Sequence, residues 1–280
     1  QARRALKGLG GGLGYALFVE PRWLEVTHVE VEVRGLPAGL DGYRIAHVTD
    51  VHHNVISGRG YIKRVVERTN ALDADLVALT GDFITHNPAR LEPCLAMLSR
   101  LRAPDGLLAT RGNHDHRVPL HEMRAACEAS GIVLLENEHV VIEPARERRR
   151  AGSNSPSPRG PLVIAGVADL WKGAPDPSRA LAGAPAGVTR ILLAHNPLTA
   201  ELVEPRLEVL LQLSGHTHGG QVRPFERSIP SWAGKAEKYL SGMHEGPGCL
   251  VYTSRGVGAS AFHARWNCRP EVALISLRAA

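Results

Sequence analysis

Five short apolar stretches of this chain each end at a cluster of Asp, Asn or His residues. Between several of them lie stretches whose apolar residues recur at helical spacing, as over residues 62–69. This alternation predicts a mainly parallel β-sheet covered by helices. Ligands of open α/β sheets bind beyond the carboxyl ends of the strands, so the clusters are expected to meet there. The clusters are Asp50/His52, Asp82, Asn113/His114, His195 and His216/His218.

Hydrophobic periodicity predicts the individual elements along the chain. Strands are predicted over residues 24–33, 43–49, 75–80, 106–110, 132–135, 140–142, 162–164, 190–194, 209–213, 250–253 and 272–275. Helices are predicted over about 62–69, 91–101 and 119–129. Residues 144–160 are charged and then Ser/Pro-rich, which predicts a long mobile hairpin loop. Residues 223–247 are rich in Pro, Gly and Ser and predict an irregular loop beside the site.

Seven of the cluster side chains are of types that bind divalent metals. They are Asp50, His52, Asp82, Asn113, His195, His216 and His218. One zinc ion uses about four ligands, so seven suit two ions that share a bridging carboxylate. Oxygen and imidazole donors without a thiolate suit Mn²⁺, Zn²⁺ or Fe and exclude Cu(I). Taken alone, the Gly215–Gly219 stretch is equally compatible with a glycine-rich turn that carries two solvated histidines.

The composition is that of an ordinary globular protein, with 44% hydrophobic and 22% charged residues in 280. The net charge of +5 suits an anionic substrate or a membrane surface. Its arginines are scattered, so no nucleic-acid partner is predicted. The four cysteines form no C-x-x-C pair. Cys94 and Cys127 are predicted to be buried thiols, and a Cys249–Cys268 disulfide is left open.

The cluster motifs resemble those of the calcineurin-like metallophosphoesterase superfamily, in the same order along the chain. These motifs are Asp50-x-His52, Gly81-Asp82, Gly112-Asn113-His114-Asp115, His195 and Gly215-His216-x-His218. Gly219-Gly220-Gln221, residues 254–258, Arg265 and Pro270-Glu271 further resemble the bacterial YkuE/YaeI branch. The resemblance implies a four-layer α-β-β-α sandwich of two mixed sheets with a dimetal site at the strand ends.

The resemblance also implies a role for each matched residue. It implies that Asp50, His52, Asp82 and His218 hold one metal ion. It implies that Asp82, Asn113, His195 and His216 hold the second, with Asp82 bridging. His114 is implied to donate a proton to the leaving oxygen, and Asp115 to orient it. The glycines beside His216 and His218 are expected to make room for a phosphate.

The role of several other polar residues close to the clusters has two interpretations. His53 is expected in packing, whereas His86 and His116 could touch the substrate. Arg111, Arg255 and Arg265 could pair with phosphate oxygens or could be surface charges. Arg111 stands where the family usually has a small or apolar residue.

The amino terminus suggests a link to the cell envelope. Residues 3–7 resemble the end of a twin-arginine export signal, and a frayed basic terminus is the alternative reading. Residues 1–22 are therefore interpreted as an export-signal remnant or membrane-proximal segment, and residues 23–280 as one domain. The expected location is the envelope, exported or membrane-associated, with a cytoplasmic location as the alternative. A lipid substrate could use an apolar wall of Phe225, Ile229, Trp232, Tyr239 and Leu240, although these residues could equally be local packing.

These features predict a monomeric, dinuclear-metal-dependent phosphoesterase, with Mn²⁺ favoured and Zn²⁺ or Fe as alternatives. The bond cleaved is a phosphomonoester, phosphodiester or pyrophosphate bond of a small-molecule or lipid substrate from the envelope. One rival is a soluble nucleotide phosphodiesterase. Another is a non-catalytic scaffold on the same fold, which the complete set of ligands and His114 disfavours.

Overall fold

The computed structural model describes residues 11–54, 57–145, 160–224, 238–260 and 263–280. Its strands are β1 (Glu25–Val33), β2 (Arg44–Val48), β3 (Leu76–Leu79), β4 (Leu107–Ala109), β5 (Val133–Leu134), β6 (Glu138–Ile142), β7 (Leu162–Gly166), β8 (Thr189–Leu193), β9 (Val209–Ser214), β10 (Gly242–Glu245), β11 (Leu250–Thr253) and β12 (Glu271–Ala279). Its α-helices are α1 (Arg59–Asn70), α2 (Leu91–Leu98), α3 (Leu120–Ala129) and α4 (Pro177–Ala180).

The strands form two six-stranded sheets. The first has the order β1-β12-β2-β3-β4-β5, and the second the order β10-β11-β9-β8-β7-β6. Strands β2 to β5 are parallel to one another, and so are β7, β8, β9 and β11. Antiparallel pairs join β12 to β2, β6 to β7 and β10 to β11, so both sheets are mixed.

Three apolar layers separate the sheets and the helices, which confirms the predicted four-layer sandwich. Side chains alternate along each central strand, so Ile45 of β2 packs between the sheets while Ala46 faces the helices. Helices α1, α2 and α3 cover the first sheet with an apolar layer that includes Cys94 and Cys127. The second sheet is covered on its outer face by α4 and irregular segments. The central strands of both sheets are thus buried on both faces, as their near-continuous apolar sequences require.

The parallel strands bring the carboxyl ends of β2, β3 and β4 to one edge of the first sheet. Strands β8 and β9 end at the corresponding edge of the second sheet. Backbone hydrogen bonds connect successive strand ends: the Asp50 N–H donates to the Gly81 carbonyl, and the Gly215 N–H donates to the His195 carbonyl. The polar clusters therefore meet along an edge to which both sheets contribute.

Four points of the sequence analysis differ from the structure or lie outside the described residues. Strand β10 lies within the stretch predicted to be irregular, where the antiparallel register with β11 supplies the hydrogen bonds. Most of the predicted 144–160 loop lies outside the described residues, as do Phe225, Ile229 and Trp232 of the predicted apolar wall. All four cysteines are free thiols, so no Cys249–Cys268 disulfide forms.

Candidate metal centre

Tight backbone turns follow the strands that end at the site. Five ligand-type residues adopt left-handed backbone conformations, which cost non-glycine residues about 1–3 kcal/mol each. They are Asp50 (φ 55°), His52 (φ 45°), Asp82 (φ 54°), His216 (φ 72°) and His218 (φ 52°). Strain of this kind persists only where the surrounding structure enforces it, and it concentrates at functional sites.

One group of donor atoms comes from the ends of β2 and β9. The Nε2 atoms of His52 and His218 lie 3.1 Å apart. Asp50 Oδ1 lies 3.2 Å from His218 Nε2 and 3.8 Å from His52 Nε2. The ligand atoms of these three buried residues all lie within 4.8 Å of one another. They form a pocket of oxygen and nitrogen donors of the size that a single cation needs.

A second group comes from the ends of β4, β8 and β9. Asn113 Oδ1 lies 3.2 Å from His195 Nε2 and 3.0 Å from His216 Nδ1. The two histidine nitrogens are 3.3 Å apart. This group therefore combines an amide oxygen with two imidazole nitrogens.

Asp82, at the end of β3, stands between the two groups. Its Oδ2 lies 3.4 Å from His52 Nε2 and 3.3 Å from His195 Nε2. Its Oδ1 accepts a hydrogen bond of 2.9 Å from the backbone N–H of His114, which fixes the orientation of the carboxylate. One oxygen of Asp82 therefore faces both groups at once.

The ring of His195 is oriented to present a lone pair to the site. Its Nδ1 lies 2.7 Å from the Thr80 carbonyl oxygen, which can only accept, so Nδ1 carries the proton. The Nε2 atom of the neutral ring is then free to act as a ligand. His52 Nδ1 is held 3.2 Å from Thr85 Oγ1, on the side away from the donor group.

Glycines of the site make room for neighbouring side chains, whereas the room they are expected to leave for a phosphate stays a prediction. A Cβ added to Gly215 would lie 2.1 Å from Asp50 Oδ2, and one added to Gly112 would lie 2.1 Å from Asp82 Oδ1. Gly219 has φ +60° and its Cβ would crowd the Arg255 side chain. Gly215 and Gly112 must be glycine because carboxylates pack against their backbone, and Gly219 is favoured by its left-handed conformation.

The protonation of the buried ligands divides them into two classes. Burial lowers the pKa of His52 and of His216 to about 3 each, and it holds the pKa of His218 well below 6.5. Burial raises the pKa of Asp50 to about 6. Burial opposes a charge on His195 too, but the adjacent Asp82 carboxylate outweighs it and raises the pKa well above 6.5. In the metal-free protein at neutral pH, three histidines are thus neutral and His195 holds a second proton, while Asp50 becomes protonated only as the pH falls through about 6.

The donor set fits divalent metal ions. The seven predicted side chains converge, and their potential ligand atoms lie 3.0–3.8 Å from one another in the contacts given above. The Thr80 carbonyl oxygen fixes the tautomer of His195 that leaves Nε2 free to bind a metal ion. Oxygen and imidazole donors without a thiolate match Mn²⁺, Zn²⁺ or Fe. Packing so many acceptors together is unfavourable unless a cation or protons compensate for it.

His114 lies beside the two donor groups without joining them. Its Nδ1 lies 2.7 Å from the Thr85 carbonyl oxygen, so that atom carries a proton. The other ring nitrogen, Nε2, is left for the pocket that His114 lines. Thr85, which the sequence did not single out, therefore contacts both His114 through its carbonyl and His52 through its hydroxyl.

Asp115 has a different partner from the one predicted. Its carboxylate accepts backbone N–H bonds from Asp82, Phe83, Ile84 and Gly112, at 2.7, 2.9, 3.3 and 2.9 Å. The ring of His114 is oriented by Thr85 and not by Asp115. Burial raises the pKa of Asp115 to about 7, although N–H donors such as that of Gly112 oppose the rise. Asp115 therefore fastens the turn after β3 to the turn after β4.

The three candidate arginines are structural. Arg111 makes a bidentate ion pair with Glu136, with both contacts at 2.7 Å. Arg255 pairs with Glu25 and Glu271. Arg265 is fully buried and donates to backbone carbonyls of residues 255, 256, 258 and 268.

The remaining candidate histidines also have definite places. His53 contacts the Arg90 carbonyl oxygen at 3.1 Å, which agrees with the predicted packing role. His86 lines the pocket at the donor groups, and burial lowers the pKa of the partly buried His116.

A pocket of about 240 Å³ opens at the donor groups. Besides four of the ligand-type residues and His114, it is lined by His86, Trp171 and Ser260. Trp171 lies in the loop after β7, and the sequence pattern contained no signal that would have singled it out. It is half exposed, and its ring stands perpendicular to that of His216 with centroids 4.2 Å apart.

Comparisons with known proteins agree with this architecture. The family model of the calcineurin-like phosphoesterases matches residues 43–220. The uncharacterized metallophosphoesterase YkuE of Bacillus subtilis is 32% identical, over 96% of this chain and 91% of that protein. The phosphodiesterase YaeI of Escherichia coli is 28% identical, over 99% of this chain and 97% of that protein.

A solved structure shares the fold at low sequence identity. The NAD nucleotidase of Haemophilus influenzae is 15% identical with a TM-score of 0.51, over 77% of this chain and 51% of that one. This chain thus spans about half of the nucleotidase, and the likeness concerns the fold alone.

The contacts of Asp115 predict a loss of stability when its side chain is removed. Asp115→Ala leaves four buried N–H groups without their acceptor, so we expect the free energy of unfolding to fall by about 3 kcal/mol or more. Urea unfolding of the metal-free protein measures this change. The control is Asp176→Ala, which removes one surface helix cap and should cost about 1 kcal/mol. Unchanged stability together with a lower kcat would instead indicate that Asp115 acts on His114.

The protonation of Asp50 and His195 predicts that metal affinity depends on pH. His195 must lose a proton to bind a cation over this whole range, and Asp50 must do so below about pH 6, so affinity should rise between pH 5 and pH 8, by up to about tenfold per pH unit and proton, and most steeply below pH 6. Calorimetric titration with Mn²⁺ in buffers of different ionisation enthalpy counts the protons released. An affinity that is constant over this range, with no proton release, would contradict the assignment of these two residues.

Proposed function

This chain belongs to the calcineurin-like phosphoesterase family of metal-dependent phosphoester hydrolases, and we propose that it acts through a dinuclear centre held by the seven converging side chains. The observation that carries the proposal is the position of Asp82 Oδ2, 3.4 Å from His52 Nε2 and 3.3 Å from His195 Nε2. A carboxylate in that position suits a bridging ligand. A single metal ion with about four ligands would leave about three of these seven side chains without a metal ion to bind.

The proposed ligands divide as the two groups of donor atoms do. Asp50, His52, Asp82 and His218 would hold one ion, and Asp82, Asn113, His195 and His216 the other. Mn²⁺ is the favoured metal because the donors are hard or intermediate, and Zn²⁺ and Fe remain alternatives. When bound, two such ions supply Lewis acidity, which offsets the negative charge of a phosphate and promotes attack by water.

His114 is the residue proposed to protonate the leaving group. Its Nδ1 proton is committed to the Thr85 carbonyl, so only Nε2 can serve the pocket. Donation from Nε2 requires that this nitrogen carry a proton as well, and the contact with Thr85 holds the ring so that Nε2 faces the pocket. A positioned general acid of this kind contributes about 10²- to 10⁴-fold to the rate.

Two rival functions are weighed against the same site. A non-catalytic scaffold would have no need of a complete donor set together with His114, so the intact site favours an enzyme. The proposed activity covers the hydrolysis of a phosphomonoester, a phosphodiester or a pyrophosphate bond. A nucleotide phosphodiesterase remains the alternative to an envelope substrate.

An exposed apolar surface supports association with anionic membrane lipids. It is carried by residues 13–23, of which Leu13, Phe18, Val19 and Trp23 are 47–65% exposed. The guanidinium of Arg269 lies 4.0 Å from the centre of the Trp23 ring, and Arg22 is exposed beside it. Aromatic, aliphatic and cationic side chains together suit the boundary between acyl chains and anionic headgroups. No helix in the described ranges is long and apolar enough to cross a bilayer.

Backbone hydrogen bonds connect the segment that carries this surface, through residues 265 and 266, to the turn after His218. The Arg265 N–H donates to the Ala16 carbonyl, and the Trp266 N–H donates to the Gln221 carbonyl. Gln221 follows His218 by three residues. Association there would bring a lipid-borne phosphoester close to the pocket, which supports the proposal of an envelope substrate.

Replacing His114 separates catalysis from metal binding. In His114→Ala we expect two bound ions to remain, while kcat falls about 100-fold or more. The loss should be larger for a phenyl than for a p-nitrophenyl ester, because nitrophenolate leaves with little need for protonation. Bound metal and Mn²⁺-dependent hydrolysis of the two esters are measured. His121→Ala, which alters a histidine on α3, is the control.

Two results would count against these assignments. Loss of metal from His114→Ala would make His114 a ligand instead of a proton donor. Wild-type protein that hydrolyses no phosphoester with any added divalent metal would overturn the enzymatic proposal.

The apolar surface predicts binding to anionic vesicles. The chain should sediment with phosphatidylglycerol vesicles and not with pure phosphatidylcholine. The double variant F18S/V19S should bind about tenfold more weakly, since inserting two apolar side chains is worth at least ~1.4 kcal/mol. The control is the double variant V133S/V141S, which replaces two exposed valines of strands β5 and β6. Equal binding by both variants would exclude this surface.

A further inference from the structure

Trp171 is a large side chain on the wall of the catalytic pocket that neither metal binding nor proton transfer requires. It lines the pocket of about 240 Å³ together with His86 and Ser260. Half of its surface is exposed. An indole left in contact with water forgoes the free energy of burial that such a side chain normally gains.

The loop that carries Trp171, residues 167–176, is held in place by two side chains. Asp169 Oδ1 accepts from the N–H groups of Trp171 and Lys172, both at 2.9 Å. Asn137 Oδ1 accepts from Ala168 N–H at 3.2 Å and from Asp176 N–H at 2.9 Å. Both ends of the loop and the turn at its tip are therefore fastened.

Asn137 also donates through Nδ2 to the Ala174 carbonyl at 2.8 Å. Its own backbone is in the left-handed region, with φ 58°, which asparagine tolerates better than most residues. The fold thus uses a dedicated clamp to hold a loop whose most prominent side chain is half exposed. A rigid aromatic side chain presented in this way is suited to binding a partner without losing much conformational entropy.

We propose that Trp171 is a substrate-recognition residue that packs against the face of a ring in the group esterified to the phosphate, either a nucleobase or a sugar ring. The inference rests on the proposed function, because it takes the phosphate to lie at the metal centre. The distance supports it: the Trp171 ring is 4.2 Å from that of His216, so a phosphate at the centre brings its substituent to the indole. Such rings pack well on aromatic side chains.

Because Trp171 contacts His216, a second role has to be tested, in which the indole holds a metal ligand in position. The indole could position that imidazole, and its removal would then weaken metal binding. A recognition residue instead leaves the metal content unchanged and alters the affinity for ring-bearing molecules only. The two roles therefore differ in what they change.

The experiment measures how well three monophosphates compete with bis-p-nitrophenyl phosphate in the Mn²⁺-loaded protein. Adenosine 5′-monophosphate carries a nucleobase, glucose 6-phosphate carries a sugar ring, and glycerol 3-phosphate carries no ring. For Trp171→Ala we expect the inhibition constant of one ring-bearing compound, or of both, to rise about tenfold. That of glycerol 3-phosphate should stay unchanged. Trp171→Phe should restore most of the affinity, and Val141→Ala, at an exposed residue of β6, should behave as the wild type.

The pattern of changes identifies the ring. A rise for the nucleotide alone indicates nucleobase recognition, and a rise for the sugar phosphate alone indicates a sugar ring. An active Trp171→Ala protein whose three constants are all unchanged would overturn the inference and leave the proposed function intact. Loss of bound Mn²⁺ from Trp171→Ala would also overturn it, in favour of a positioning role. A wild-type protein without metal-dependent turnover would overturn both.

Discussion

The structure depends on one carboxylate that must face two groups of ligands at the same time. Asp82 Oδ2 lies within 3.4 Å of imidazole nitrogens from both sheets, and its other oxygen is held by the backbone N–H of His114. The ends of β3 and β4 must therefore stay in fixed register with the end of β8. The four N–H bonds accepted by Asp115 maintain that register within the first sheet. The rest of the fold supplies a rigid core behind this edge.

Strain and close packing at the edge are consequences of the same constraint. Five ligand-type residues adopt left-handed conformations, and Gly215 and Gly112 leave no room for a Cβ beside the carboxylates. Without a cation, His195 holds a proton where a ligand should have a lone pair, and burial raises the pKa of Asp50 to about 6. The site is thus built at a cost in stability that metal binding can offset, as is usual for preorganised centres.

The sequence predicted much of this site because its signals were local. Each apolar strand is followed within a few residues by its ligand, so the parallel-sheet pattern alone placed Asp50, Asp82, Asn113, His195 and His216 at one edge. Roles that depend on contacts between distant segments were harder to predict. Asp115 follows His114 directly but bonds to the β3 turn, whereas Thr85 reaches His114 from 29 residues away. The sequence predicts that the three arginines are phosphate ligands or surface charges. It cannot show their carboxylate and carbonyl partners, because these come close to the arginines only when the chain folds.

The sequence by itself determined the alternation of strands and helices, the chemical type of the ligands and the family to which they belong. Local periodicity and short motifs are sufficient to predict those properties. Only the tertiary structure decided that both sheets contribute to one edge, that the motif glycines accommodate carboxylates, and that Trp171 stands at the pocket. The physical reason is that these features arise from packing between segments that are far apart in the chain. A glycine or a tryptophan has the same local pattern whether or not such a neighbour exists.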